Sequence, residues 1–305
     1  MYSIDVSIII VSFNTKHLTL KCIESIIDHT IGIKYEIIVV DNASIDGSVE
    51  AIKAKFPIVS IIDSGENIGF GRANNLGVES AKGKYLFFLN SDCILIENAI
   101  MKMYDYFEKQ NSLNNSIGAI GCYLLDSENN LNTSYKRFPT PGLLVGSRIL
   151  DLVNRVFKTK FVTKQVSNYT INRKGEVDFI TGADLFILND IFTSLNGFDP
   201  SFFMYYEETD LQKRMSNKSL KRIILKDVNI IHLEGGSTSR KMSSNTIFID
   251  SEFKYIKKHY PLFIYMLYYL LMSILLLPSL FNYTHSKKDK KIFLKMILRN
   301  AIPFN

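Results

Sequence analysis

Cysteine is scarce: Cys22, Cys93 and Cys122 are the only three in 305 residues, widely spaced and without a C-x-x-C pair. That excludes a disulfide framework, gives no support to a cysteine-ligated zinc site, and fits a reducing compartment. A secretory leader is also missing from the expected pattern. Met1-Tyr2-Ser3-Ile4-Asp5 has no basic segment, and the apolar run Val6 to Val11 is too short for a signal core with a cleavage site. A cytoplasmic protein is expected. There is no internal repeat or low-complexity stretch, and a hydrophobic content of 47% excludes a disordered or fibrous chain.

Charge is present but unevenly placed. The net charge is +6, and lysine and arginine thicken between Lys136 and Lys174 and again between Lys254 and Arg299. The second cluster flanks the most apolar stretch, which favours an anionic membrane surface over a nucleic-acid groove. Leu262 to Phe281 runs for 20 residues without a charge, interrupted by Pro278, and a basic amphipathic stretch follows from Lys287 to Arg299. Such a run is just long enough to span a bilayer. Both flanks are basic, so charge asymmetry gives no orientation. An interfacial helix or re-entrant hairpin fits at least as well, and a buried core helix or a homo-oligomer contact is the plain alternative. The expected organisation is a domain over 1–259, with a nucleotide-binding half at 1–110 and an acceptor half at 111–259. A membrane-associating segment at 260–305 would hold it to the cytoplasmic face of the membrane.

The first third alternates β-branched runs with helical patterns: Val6 to Val11 then Leu18 to Ile27, Tyr35 to Val40 then Ser48 to Phe56, Val59 to Ile62 then Arg72 to Ala81, and Tyr85 to Leu89. Near-continuous apolar strands between amphipathic helices predict an α/β, doubly wound, mostly parallel sheet buried on both faces. Ligands bind such sheets beyond the carboxyl ends of the strands. From Asn111 to Gly175 the pattern predicts a strand at Ile117 to Leu125, a turn at Asp126 to Asn130, and otherwise irregular acceptor-side structure with mobile loops. Further on, a strand around Phe186 to Leu188, a turn at Asn196 to Pro200, a helix from Glu207 to Asn217 and two strands, Arg222 to Leu225 and Val228 to His232, are predicted.

Polar residues at predicted strand ends are the site candidates: Ser12 and Asn14, Asp41, and Asn90-Ser91-Asp92. Asp41 can accept the N3 proton of uracil or thymine, or it can cap the following helix with Ser44. Asn67, Gly69, Arg72 and Asn74 surround a glycine-rich helix start whose backbone donors suit a diphosphate, although such entries are common. Asp92, forced to a strand end by the apolar run before it, suits Mg²⁺ or Mn²⁺, and an Asx turn is the bland reading. On a helix, Glu207, Asp210 and Arg214 share one stripe that can be a solvated salt bridge, while Glu208 points about 100° away. Glu208 is then free to face a cleft in which apolar neighbours raise its pKa toward that of a working base. His232 ends a strand at the same rim and would join Asp92, which alone is a poor cation site.

In order, V-S-I-I-I-V-S-F-N at Val6 to Asn14, V-V-D-N-A-S-x-D-G-S at Val39 to Ser48, N-I-G-F-G-R-A-N-N at Asn67 to Asn75, F-L-N-S-D at Phe88 to Asp92 and G-F-D-x-x-F-F-M-Y-Y-E-E-T-D-L at Gly197 to Leu211 resemble family 2 glycosyltransferases of the GT-A fold. The likeness is strongest to bacterial rhamnosyltransferase-like enzymes of O-antigen and cell-wall polysaccharide assembly, and it covers Val6 to His259. It implies that Asp41 contacts the base, Asp92 the divalent cation, Glu208 serves as catalytic base after Glu207, His232 helps hold metal or diphosphate, and Asp184 meets acceptor or donor sugar. Asn90 stands where the stricter motif has an aspartate, and Glu208 where aspartate is more usual. The implied reaction is an inverting single displacement from a dTDP- or UDP-sugar, dTDP-rhamnose among them, to a lipid-linked glycan. A UDP-hexose or UDP-N-acetylhexosamine transferase of the same fold and a non-catalytic glycan- or lipid-binding protein are the alternatives. A sugar-nucleotide synthesising nucleotidyltransferase would carry a basic glycine-rich loop after the first strand, which Ser12-Phe13-Asn14-Thr15 does not provide.

Overall fold

Apolar β-branched runs pair where both their faces can be covered, and β1 (Ile4–Ser12), β2 (Tyr35–Asp41), β3 (Ser60–Asp63) and β4 (Gly83–Leu89) do so in parallel, in the order β3-β2-β1-β4. Ile8, Ile10, Val39 and Phe87 pack to one side with α1 (Lys16–His29), α2 (Ser48–Lys55) and α4 (Ala99–Ser112). Ile9, Val40 and Phe88 pack to the other with α3 (Phe70–Glu79), α6 (Asn189–Ser194) and α7 (Glu207–Asn217). The chain leaves β1 for β2 and β3 on one side and returns to β4 on the other. Strand order therefore reverses at β1, which opens a crevice at the carboxyl ends. Register aligns the polar residues there, Ser12 beside Asp41 and Asp41 beside Asp63.

Beyond β4 the sheet becomes mixed. β10 (Asp184–Leu188) runs antiparallel to β4 and to β6 (Ile117–Leu125). β11 (Lys221–His232) is parallel to β6 and antiparallel to β5 (Cys93–Leu95) and β8 (Glu176–Val177). A separate ribbon joins β7 (Tyr135–Lys136) to β9 (Phe179–Ile180). The two strands expected at Arg222 to Leu225 and Val228 to His232 are one strand: a register shift between Leu225 and Asn229 absorbs the extra residues without breaking the pairing to β6.

This computed structural model describes residues 2–113, 116–158, 175–233, 242–278 and 286–301. They form two compact units, Met1–Arg137 with Asn168–Phe203 and Glu207–Thr238, and Phe138–Ser167 with Met204–Tyr206 and Ser239–Asn305. The sheet belongs to the first. The second contains α5 (Pro141–Phe157), α8 (Met242–His259), α9 (Leu262–Leu276) and α10 (Lys287–Asn300). The boundary drawn from sequence at 259/260 falls inside it.

Helix α5 corrects the expectation of irregular structure in the middle of the chain. Thr140 accepts a hydrogen bond from the Leu143 N–H and Pro141 occupies the first turn, an N-terminal signal that the glycines after it obscured. The apolar run after Pro261 becomes a 15-residue helix rather than a 20-residue one. Among the described residues no helix is long and apolar enough to cross a membrane, and residues 279–281 of that run lie outside them. The basic positions between 159 and 174 also lie outside the described residues.

Phe87 is fully buried at the centre of the sheet, its ring 5.9 Å from that of Phe186. Phe87→Ala is expected to cost about 3–5 kcal/mol in urea-induced unfolding. A loss below about 1 kcal/mol would contradict this packing.

Candidate active site

Three strand-end loops are fastened to one another at the carboxyl edge. Asn14, with φ of 53°, donates its backbone N–H to Ser44 Oγ (2.9 Å) and accepts from the Ile45 N–H (2.8 Å). Asn42 donates from Nδ2 to Asn67 Oδ1 (3.0 Å) and accepts from the Ile68 N–H (3.0 Å) and Ser64 Oγ (3.2 Å). Asn67 Oδ1 also accepts from the Gly69 N–H (3.1 Å). Gly69 has φ of +88°, and a Cβ there would collide with the Phe203 carbonyl oxygen, so only glycine lets these two backbones meet. Asp41 is 2% exposed. Its Oδ2 takes the Ser44 N–H at 2.8 Å while Oδ1 is buried without a hydrogen-bond partner. Asp41 does not cap α2, whose N-cap is Gly47 without a side-chain bond; one Asp41 oxygen shapes the turn after β2 and the other is unpaired.

Next to this frame a hydroxyl cluster ties β1 to the loop after β4. Ser12 Oγ lies 3.3 Å from Thr15 Oγ1 and 3.0 Å from Thr19 Oγ1, and Thr15 Oγ1 is 3.2 Å from Ser91 Oγ. Asn90 donates its N–H to the Ala183 carbonyl (3.0 Å), and its Nδ2 is 3.5 Å from His232 Nε2. Pairing of β11 with β5 sets His232 opposite Cys93, and this brings His232 Nε2 within 3.2 Å of Asp92 Oδ1. Asp92, Cys93 and His232 are the group among the described residues with metal-ligand spacing. Cys93 Sγ donates to the Ala183 carbonyl (3.5 Å), and burial, with the Asp92 charge nearby, pushes the thiol well above its usual range. A carboxylate and an imidazole remain, a donor pair that suits a divalent cation completing its shell with phosphate and water oxygens.

Helix α7 presents its acids in two directions, as its period requires. Glu207 and Asp210 are buried, at 3% and 0% exposure, and not part of a solvated stripe. Asp210 Oδ2 accepts from Arg214 Nε at 2.8 Å, and Arg214 also donates to the Leu195 and Gly197 carbonyls. That pair fixes the turn after α6. Glu207 packs under α3, where a Cβ on Gly71 would come within 3.3 Å of it. Glu208 is half-buried and lies over Gly182, with Thr209 Oγ1 donating to its Oε1 at 3.3 Å. Burial raises its pKa above the ordinary carboxylate range, while the Lys136 charge works the other way. Gly182 precedes Ala183, whose carbonyl holds Asn90, so Glu208 and the Asp92 loop meet at one edge of the sheet.

Other candidates are engaged elsewhere. Arg72 donates from Nε to the Pro200 carbonyl (2.7 Å), and Asn74 from Nδ2 to the Phe70 carbonyl one helical turn back (3.1 Å). Both brace α3. Asp184 is fully buried: its Oδ2 accepts from the Cys122 N–H at 2.6 Å, and its Oδ1 is without a hydrogen-bond partner. Sequence reasoning gave no role to Asn42, Thr15, Gly182 or Lys136. Asn42 carried the clearest signal, an amide directly after a strand-end aspartate.

Burial raises the Asp184 pKa from 3.8 to about 7, against the opposing Cys122 N–H and His232. A group whose folded pKa exceeds its unfolded value holds its proton longer in the native state, so stability falls as pH rises from about 4 to about 7. Asp184→Asn is expected to gain stability relative to the parent across that window, at up to about 1.4 kcal/mol per pH unit. Parallel stability curves for the two proteins would contradict it.

Residues 7–157 match the family model described as Glycosyl transferase family 2. Rhamnosyltransferase WbbL of Escherichia coli is 27% identical over 55% of this chain and 62% of its own length, so the match spans less than two thirds of that protein. The N-acetylglucosaminyl-diphospho-decaprenol L-rhamnosyltransferase of Mycobacterium tuberculosis is 22% identical over 68% of this chain and 70% of its own. Among solved structures, the mannosyltransferase PcManGT from Pyrobaculum calidifontis, in complex with GDP-Man and Mn²⁺, superposes with a TM-score of 0.56 at 14% identity, covering 99% of this chain and 76% of that one. That likeness supports the GT-A-like fold. Residues 7–157, just under half of the chain, thus match glycosyl transferase family 2, and the chain is similar to rhamnosyltransferases.

Proposed function

We propose that the chain catalyses inverting transfer of a sugar from a nucleoside-diphosphate donor to a growing cell-surface glycan. The observation that carries this reading is the Asp92–His232 pair at 3.2 Å, facing the same sheet edge as a half-buried Glu208 of raised pKa. Asp41 Oδ1 accepts the N3 proton of the base, and Ser12, Asn14, Asn67 and Gly69 shape the floor beneath the nucleotide. Asp92 and His232 would hold Mg²⁺ or Mn²⁺, which supplies positive charge against the departing diphosphate. Glu208 takes the proton of the acceptor hydroxyl as its oxygen bonds to the anomeric carbon. The bond from that carbon to the diphosphate breaks on the opposite face, which inverts the centre. Asn90 and Ser91 position Asp92, Glu207 anchors the start of α7, and Arg72, Asn74, Asp184 and Asp210 act through the loops they tether.

For the donor, the rhamnosyltransferases among the relatives favour dTDP-rhamnose, with UDP-hexoses and UDP-N-acetylhexosamines as the competing donors. The Mycobacterium tuberculosis relative, by its name, acts on a diphospho-decaprenol-linked sugar, which supports a lipid-linked acceptor here. A protein working on such an acceptor is held at the cytoplasmic face of an anionic membrane by its basic, apolar C-terminal segment.

The test is transfer from dTDP-rhamnose, UDP-glucose and UDP-N-acetylglucosamine to a lipid-diphosphate-linked acceptor. Glu208→Gln should lower kcat by about 10²–10⁴. Because burial raises the Glu208 pKa, the ionised base accumulates only above the ordinary carboxylate range, so kcat/KM in the parent should rise with pH through a correspondingly high midpoint, and the variant should lose that limb. No turnover of any donor, together with an unchanged Gln variant in a polymer-assembly assay, would sink the proposal.

A further inference from the structure

The second unit exposes large apolar side chains on two neighbouring helices. On α9, Tyr265, Tyr268, Met272 and Leu276 are buried, whereas Phe263 (73% exposed), Leu267, Leu270, Ile274 and Leu277 form a stripe at spacings of three and four on the open side. The Tyr265 hydroxyl donates to the Asn300 carbonyl and that of Tyr269 to the Ile297 carbonyl (3.3 Å), which fastens the covered side of α9 to α10. Helix α5 packs against α9 and carries its own open stripe, Ile149, Leu152 and Val156, with Phe157 (70% exposed) at its end. Exposed apolar area on this scale marks an interaction surface.

The charge beside it selects the occupant. On α10 the exposed residues alternate in kind: Lys291 with Ile292, Leu294 with Lys295, Leu298 with Arg299, after Lys287 and Lys288 in the first turn. A second copy of the chain would bring the same cations against these, whereas a layer of anionic headgroups over acyl chains satisfies both kinds of side chain at once. The α9 stripe from Phe263 to Leu277 is roughly 21 Å long at 1.5 Å per residue, short of the roughly 30 Å hydrocarbon core. That length suits a helix lying in the plane of an interface rather than a span.

We infer that α5 and α9 together form a docking face that inserts in plane into an anionic bilayer, with α10 meeting the headgroups. This rests on the membrane reading above and extends it to a helix more than a hundred residues before the C-terminal segment. Vesicle flotation of the full chain tests it, with equimolar phosphatidylglycerol and phosphatidylcholine against phosphatidylcholine alone. The combined Val156→Ser, Phe157→Ser variant should keep the parent's melting temperature, because those side chains are 63% and 70% exposed, and should bind anionic vesicles roughly tenfold or more weakly. The chain has no tryptophan, so Leu152→Trp gives a single reporter whose emission should shift to the blue on anionic vesicles alone. If the parent binds and the α5 variant binds equally, with no blue shift, α5 has no part in docking while the membrane reading stands. If the parent binds neither vesicle, both readings fail, and loss of a dimer in the same variants would assign the face to a second copy.

Discussion

The pairing of the last residue of β11 with the first of β5 is the constraint on which the site depends. It sets His232 opposite Cys93 and therefore within 3.2 Å of Asp92, from elements 140 positions apart in the chain. A one-residue slip would turn the imidazole to the other face of the sheet. The slip is resisted because β11 is also paired along β6, with Ile223, Leu225, Val228 and Ile230 committed to the core. The register shift after Leu225 is thus part of the device: it delivers both an inward-facing apolar set and a correctly directed histidine.

Around that pair, the sheet edge combines rigid tethers with acids kept out of water. Asn42 fastens the β2 end to the Asn67-Gly69 turn, Gly69 admits the Phe203 backbone, and the Thr15 hydroxyl links β1 to Ser91. Each tether fixes a loop from a different strand without contributing charge. The groups that do carry charge sit where desolvation acts on them, so that Glu208 and Asp184 both hold protons more tightly than in water. Burial raises both pKa values, and hydrogen bonds from Thr209 and the Cys122 backbone act in the opposite direction. The same edge thereby holds the Asp92–His232 pair and a carboxylate of raised pKa.

How much of this the residues disclose in advance depends on the range of the interaction. The parallel half was readable because buried strands have to be apolar throughout, and the residues ending them are displayed by the topology. Asp92 and His232 were identifiable as strand-end groups, and their meeting followed from topology. Helix α5 went unread because Gly142 and Gly146 masked a periodicity whose start, Thr140-Pro141, was in plain view. The burial of Asp184 is set by a partner distant in sequence, the Cys122 amide, and the Asp210–Arg214 pair is buried rather than solvated because Arg214 also binds the Leu195 and Gly197 carbonyls. The bond from Arg72 Nε to the Pro200 carbonyl is likewise long-range, and no local pattern discloses it.

The proposed transfer depends most on Asp92 and His232 forming one cation-binding corner shared with the donor's diphosphate. Its most direct test is Mn²⁺ binding followed by electron paramagnetic resonance, with and without UDP or dTDP. The parent should bind Mn²⁺ more tightly when the nucleotide is present, and Asp92→Asn and His232→Ala should each weaken that binding by about tenfold or more. Mn²⁺ affinity that is unchanged in both variants, with nucleotide bound, would contradict the account.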